Sequence, residues 1–257
     1  MPINNSDRDW EVFGKTDPYF AVLTAPEYHG QLTGDARARF FESGEKHIET
    51  MLSIIRGRLD PSFAPVRALD FGCGVGRLLV ALATRCPDVT GVDISPSMLA
   101  EARRNCDAAG ATNVSLVQGD DELSGVAGSF DFIHSYIVLQ HIAVERGELL
   151  VRKLAAKLDP DGVAMVHVTY SSGIAGISSR FRYWVRLNVP GARWLAGLAR
   201  GRASAAPVMQ MNEYSITRLL EILRDEGCRE VHVRFSDHGG PRGVLLFARK
   251  SDAPIFA

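Results

Sequence analysis

An α/β fold with a mostly parallel sheet covered by helices on both faces is predicted by three observations. From residue 66 onward, short β-branched runs alternate with helical stretches, the order of a doubly covered sheet. The first run, Leu69-Asp70-Phe71, passes directly into the glycine loop Gly72-Cys73-Gly74-Val75-Gly76 and then a helix. The last two runs flank the turn Asp237-His238-Gly239-Gly240-Pro241. Strands are expected at Val66–Phe71, Val89–Asp93, Val114–Gln118, Phe130–Ser135, Val163–Tyr170, Val231–Ser236 and Val244–Arg249, with helices after the first, second and fourth. Ser95-Pro96 opens one helix with a capping hydroxyl and a proline at its first position, and Gly110 follows its end. Ile216, Leu219, Leu220 and Leu223 repeat at helical spacing behind Ser215, with Gly227 as the stop.

Two segments stand outside this alternation. Residues 1–65 form an N-terminal cap in which Phe40, Gly44, His47, Ile48, Met51 and Ile55 share one helical face. Upstream, Trp10, Phe13, Tyr19, Phe20 and Tyr28 sit in a stretch punctuated by Pro and Gly; the helix is expected to pack on the sheet with most of these aromatics covering its end, and the sharper alternative is that Asp17-Pro18-Tyr19-Phe20 folds over the mouth of a binding site. Within the main domain, 66–257, an insertion at 171–212 holds Arg180, Arg182, Arg186, Arg193, Arg200 and Arg202 and no acidic residue, in a chain whose net charge is −1. Ile177, Phe181, Trp184 and Val185 space as an apolar stripe with Arg182 and Arg186 opposite, and Trp194, Leu195 and Leu198 suggest a second amphipathic piece. A substrate lid, a helix for anions or a membrane surface, and a solvated pair packed on the core all fit that pattern.

The glycine loop carries its own chemical information. Such loops usually cradle phosphate on free N–H groups at a helix start. Asp70 at the mouth opposes that use, because two negative charges about 4 Å apart repel by roughly 4 kcal/mol at an effective dielectric near 20. A cationic ligand removes the difficulty, and S-adenosylmethionine (SAM) offers a sulfonium, an ammonium and a neutral ribose without phosphate. Gly72, Gly74 and Gly76 also give G-x-G-x-G rather than the dinucleotide spacing G-x-G-x-x-G. Asp93 closes the next strand, where an acid accepts from ribose hydroxyls.

With these residues in order, the stretch Ala68–Tyr170 resembles the catalytic domain of class I SAM-dependent methyltransferases. Phe130-Asp131-Phe132-Ile133 and Val138-Leu139-Gln140-His141-Ile142 resemble that family's fourth strand and next helix, and Leu158-Asp159-Pro160-Asp161-Gly162 its turn before strand five. The resemblance implies a Rossmann-like sandwich whose seven-stranded sheet ends in an antiparallel hairpin. It implies SAM held by Asp70, Gly72, Cys73, Gly74, Arg77, Asp93, Ile94, Met98, Gly119, Asp120, Asp121 and Tyr136, with Gly119-Asp120-Asp121 at the adenine.

Methyl transfer requires in-line alignment of nucleophile, methyl and sulfur, plus a base where the acceptor is a hydroxyl. Among seven histidines, His141 at the ligand-binding edge and His238 in the hairpin turn are the candidate bases. Tyr19, Gln140, Tyr170, Arg182 and Arg186 are candidates for contact with an acceptor, and the arginines suit phosphate or carboxylate. The expected reaction is O-methylation of a small-molecule or lipid-linked acceptor in a glycan or secondary-metabolite pathway. N- or S-methylation, SAM binding without turnover and a nicotinamide-dependent oxidoreductase are the alternatives. Ser135-Tyr136-Ile137-Val138 lacks the Pro-Pro-aromatic run of base-amino methyltransferases, which speaks against nucleic acid.

No run of 18 apolar residues and no leader pattern is present, so a cytoplasmic protein is expected, with peripheral membrane contact through 171–212 open. Cys73, Cys86, Cys106 and Cys228 lack ligand spacing and read as reduced thiols. Asp120-Asp121-Glu122 lacks a second oxygen-ligand cluster, so no metal is expected.

Overall fold

The computed structural model describes residues 5–173, 181, 184–185, 189, 191–198, 207–237 and 239–252. Seven strands form one sheet: β1 (Arg67–Phe71), β2 (Asp88–Asp93), β3 (Val114–Gln118), β4 (Phe130–Ser135), β5 (Leu158–Ser171), β6 (Cys228–Asp237) and β7 (Arg242–Lys250), in the order β3-β2-β1-β4-β5-β7-β6. The first five pair in parallel, and β7 lies antiparallel to both β5 and β6, so the closing hairpin is as expected. Strand β1 reads as a continuous buried run because helices cover both its faces.

Strand β5 differs from its expected start. Residues 158–162, expected as a turn, lie within β5: Leu158 pairs with Phe130 of β4, and the register slips over the next four residues before Phe132↔Val163. Asp161, at φ 63°, absorbs the slip inside the strand.

Helices α1 (Asn5–Thr16), α2 (Pro18–Val22) and α3 (Gly34–Arg58) precede the sheet. They are followed by α4 (Arg77–Ala83), α5 (Pro96–Ala108), α6 (Val144–Ala156), α7 (Ala192–Leu198) and α8 (Ile216–Asp225). One apolar core joins α6 and α8 to the sheet, and a second joins α3, α4 and α5. Phe40, Gly44, Ile48, Met51 and Ile55 of α3 are buried as their spacing requires. Gly44 permits the closest approach, since a Cβ there would lie 2.4 Å from the Arg77 carbonyl oxygen. The caps hold as expected: Ser95 Oγ accepts from Met98 N at 3.1 Å and Ser215 Oγ from Arg218 N at 3.3 Å.

All four cysteines are free and buried. Among the described residues no group of three or more acidic, His or Cys side chains is placed to hold a metal, and no helix is long and apolar enough to cross a membrane. Ile177, Arg180, Arg182, Arg186, Arg200, Arg202 and His238 lie outside the described residues.

Candidate active site

The chain runs from β1 outward to β3 and then returns to place β4 on the other side of β1, so a crevice opens where the strand order reverses. The cleft there encloses about 1040 Å³ of empty space, including space open to solvent. Its floor is the loop after β1. Gly72 N donates to Val92 O at 2.7 Å, and at φ 77° its missing Cβ would otherwise fall 2.3 Å from Val138 Cγ2. Only glycine fits this turn.

At the end of β2, the Asp93 carboxylate faces the cleft. Oδ2 accepts from Gly74 N at 2.9 Å and Oδ1 from Ser95 N at 2.9 Å. Burial pushes its pKa up to about 6 and the nearby Asp70 charge adds to the rise, against the pull of the backbone N–H groups. Each oxygen retains acceptor capacity on the cleft side, the arrangement a vicinal diol requires.

Asp70 stands behind this wall rather than on it. It is 2% exposed, its Oδ1 accepts from His134 Nδ1 at 2.7 Å, and its Oδ2 has no hydrogen-bond partner. The other ring nitrogen of His134, Nε2, lies 3.0 Å from His47 Nε2. Burial, reinforced by the neighbouring His134, Arg77 and His167, holds the His47 pKa down at about 2, so this ring is neutral at physiological pH. Arg77 lines the cleft from the start of α4, is 5% exposed, donates from Nη1 to Ser43 Oγ at 3.1 Å, and leaves Nε without a partner. Burial lowers its pKa, an effect opposed by Tyr136 and Asp70. The cleft thus has a guanidinium short of one acceptor in its lining, and the negative charge of Asp70 behind that lining. A zwitterionic amino acid offers a carboxylate to the first and an ammonium to the field of the second.

His141 lies in a single 3-10 turn, Leu139–His141, rather than in a helix. Its Nδ1 donates to the Gln210 carbonyl at 2.6 Å, which makes Nε2 the lone-pair nitrogen of the neutral ring. Burial lowers its pKa to about 4 against the stabilising Gln210 contact. Gln140 supports this turn: its Oε1 accepts from Thr169 Oγ1 at 2.8 Å and its amide nitrogen lies 3.4 Å from His141 Nε2.

The cleft is covered by α1, not by the Asp17–Phe20 segment expected to do so. Ser6, Asp7 and Trp10 line it, with Ala21 and Val22 from α2. Ser6 Oγ donates to His141 O at 2.7 Å. Arg146 donates to Asp7 Oδ1 at 2.6 Å and to Asp121 Oδ1 at 2.5 Å. Glu11 accepts from Ser95 Oγ at 2.7 Å and Ser97 Oγ at 2.8 Å, a carboxylate seated at the positive end of α5. Burial raises the Glu11 pKa, but hydrogen bonds from Ser95, Lys15 and Ser97 outweigh it and hold the carboxyl at about 2.

Of the residues expected to hold a cofactor, Gly72, Cys73, Gly74, Arg77, Asp93, Ile94, Met98, Gly119, Asp120, Asp121 and Tyr136 meet on this one cleft, and Asp70 lies behind it. The Asp120 carboxylate closes its own loop by accepting from Glu122 N at 2.9 Å and Ser124 N at 3.0 Å. Tyr19 is turned away from the cleft, because its phenol bonds Glu101 and Asn105 while its ring packs edge-on to Phe40. Phe20 stacks on His29, 3.6 Å between centroids. Gln140 is inside the wall and Tyr170 packs beside Phe235, so neither reaches the cleft lining. Trp10, one of the N-terminal aromatics, lines it, and Arg146 and Ile137 line it without any sequence signal that singled them out. Ile137, β-branched at φ 58°, is a strained turn directly after β4.

Residues 68–162 match the family model described as a methyltransferase domain. Residues 68–162 thus carry a methyltransferase domain. A ubiquinone biosynthesis O-methyltransferase from Azorhizobium caulinodans is 34% identical over 102 residues, 39% of this chain and 39% of that protein. The methyltransferase domain thus accounts for about two fifths of that relative's length. Among solved structures, magnesium protoporphyrin IX methyltransferase from Synechocystis PCC 6803 with bound SAM superposes at TM-score 0.62 and 15% identity, covering 98% of this chain and 100% of that one. The N-methyltransferase NodS from Bradyrhizobium japonicum WM9 with S-adenosyl-L-homocysteine does so at TM-score 0.58 and 18% identity, covering 96% and 98%. At those identities the structural likeness shows the fold alone.

Proposed function

We propose that this protein transfers the methyl group of SAM to a hydroxyl of a small or lipid-linked acceptor. The observation that carries the reading is the meeting, in one cleft, of Asp93 with its two backbone donors and of Arg77 with no acceptor for its Nε. In this reading Asp93 holds the ribose diol and Arg77 the amino acid carboxylate, while Asp70 acts from behind the wall through its negative charge. When bound, SAM supplies an electrophilic methyl group on a sulfonium.

The residues of the chain then do three things. The glycine loop and Arg77 fix the donor's orientation, which lowers the barrier through alignment. Helix α1 excludes water from the cleft. His141, neutral with its lone pair at Nε2, receives the acceptor's proton as the new bond forms.

A hydroxyl acceptor is favoured by that histidine, since an amine or thiol needs less help from a base. The relative from Azorhizobium caulinodans is named an O-methyltransferase, which supports the same choice. Incubation with methyl-labelled SAM and a fractionated cell extract, followed by mass spectrometry, tests the proposal. A labelled methyl ether together with S-adenosylhomocysteine is expected, and a labelled methyl ester contradicts the hydroxyl assignment. SAM binding without any labelled product contradicts turnover, and a labelled amine or thioether contradicts the hydroxyl assignment.

A further inference from the structure

Strand β6 ends the sheet order, so one edge of its backbone has no strand beside it among the described residues. Natural sheets blunt such an edge by keeping it short or by placing Pro or Lys on it, whereas β6 runs ten residues, Cys228–Asp237, with neither. A bulge at Arg229, where Cys228↔Lys250 gives way to Glu230↔Arg249, interrupts only its start. From Glu230 to Asp237 the strand is regular.

Its two faces are sorted. Val231, Val233 and Phe235 share the side on which their β7 partners Ala248, Leu246 and Val244 belong to the core under α6 and α8. Val233 is 40% and Phe235 79% exposed, and the Phe235 ring meets Tyr170 edge-on, 6.2 Å between centroids. Glu230, His232, Arg234 and Ser236 alternate on the opposite side.

An edge of this kind takes another strand, and the residues select a second copy of β6. In an antiparallel pair the outward N–H and C=O groups of one strand must face those of the other, so two copies pair only about a two-fold axis that passes through a residue. Axes at Val233 and at Arg234 give the longest ladders clear of the bulge, Glu230–Ser236 and Val231–Asp237, seven residues each. The axis at Arg234 sets that guanidinium against its own copy, which repulsion disfavours. At Val233 the pairs are compatible throughout. Val233 faces Val233, Val231 faces Phe235, and Glu230 faces Ser236 while reaching Arg234 on the diagonal. Arg234 lies opposite His232, which is neutral at pH 7 because burial and the charges of Arg58 and Arg234 lower its pKa.

We propose that this protein forms a two-fold dimer through β6, joining the sheets of two copies across Val233. The pairing closes after two copies, because both contribute the same edge. Strands β5 and β7 lie between this edge and the cleft beside β1 and β4, so each copy keeps a whole site. The dimer rests on the sheet and on no reading of the reaction.

Sedimentation velocity of the full chain from about 5 to 50 µM reads the association. A dimer is expected. Val233→Lys combined with Phe235→Lys puts lysine against lysine at the axis, which is expected to raise the dissociation constant at least about tenfold. Far-ultraviolet circular dichroism should stay unchanged, since both side chains are exposed. Single thiols read the register separately, because the four native cysteines are buried. Under mild oxidation Val233→Cys is expected to cross-link to its copy, whereas Arg234→Cys, offset two positions from its copy and beyond disulfide reach, is not. A monomer throughout the range, a dimer that the lysines leave intact, or cross-linking at 234 in place of 233 overturns the proposal. Where the lysine variant loses its dichroism, the two thiol variants decide alone. None of these outcomes bears on whether SAM binds, so failure here is distinct from failure of the methyl-transfer reading.

Discussion

Asp93 gives the sharpest perturbation because its environment fixes both the size and the pH of the effect. Its pKa is raised to about 6, and the ribose hydroxyls would donate to the ionised form. The ionised fraction at pH 7 is roughly 10/11 and at pH 5 roughly 1/11, so affinity for S-adenosylhomocysteine should fall about tenfold between them. The neighbouring histidines do not obscure this window, since His141 and His47 titrate near about 4 and about 2. Asp93→Asn removes the charge and one acceptor oxygen. Hydrogen bonds to a charged group contribute about 1.5–3 kcal/mol, so affinity at pH 7 should drop by roughly tenfold to a hundredfold, and the slope between pH 5 and 7 should vanish.

The same raised value has a stability consequence of opposite sign. The folded chain holds this proton more tightly than the unfolded chain, so the ligand-free protein loses stability as pH rises from about 4 through about 6, by up to roughly 3 kcal/mol. Asp93→Asn should lack that loss. Calorimetry across pH 5 to 8 on both proteins is the assay. A pH-independent affinity in the wild type, or an equal slope in Asp93→Asn, refutes the reasoning.

Three further perturbations probe the layers around it. His134→Leu leaves both oxygens of buried Asp70 without a donor and should cost about 3–5 kcal/mol in urea unfolding, most of it restored by adding Asp70→Leu; a loss under about 1 kcal/mol would show that the pair is not built into the core. Asp7→Ala releases α1 from Arg146, so stopped-flow release of S-adenosylhomocysteine should quicken several-fold while stability changes by less than about 1 kcal/mol, and unchanged release rates would deny α1 a role as cover. Once the acceptor is known, His141→Gln should lower kcat by roughly 10²–10⁴ without changing cofactor affinity, whereas full turnover would remove His141 as the base.

The parts of the site legible in the sequence are those encoded by adjacent residues. The Gly72–Gly76 loop, the strand-ending Asp93 and the Ser95-Pro96 cap each declare their geometry within a few positions, and the structure places all of them on the cleft or beside it. Tertiary pairings carry no such local signal. Asp70 reads as a loop-mouth carboxylate until His134, from a strand 64 residues away, claims it. Helix α1 escapes notice because Gly14 and Pro18 punctuate a short segment, and its stability comes from contacts such as Glu11 to Ser95 and Asp7 to Arg146. The expected turn at 158–162 is taken into β5 because pairing with β4 outweighs the local turn residues. His141 escapes the expected helix because the strained Ile137 turn delays α6 to Val144.

The central claim is that this cleft takes a cationic, phosphate-free nucleoside bearing an amino acid. Titrating the purified chain calorimetrically with SAM and, separately, with NADH tests it most directly. Saturable single-site heat with SAM that Asp93→Asn weakens, and none with NADH, is the predicted result; tight NADH binding that Asp93→Asn weakens, with no heat from SAM, would contradict it.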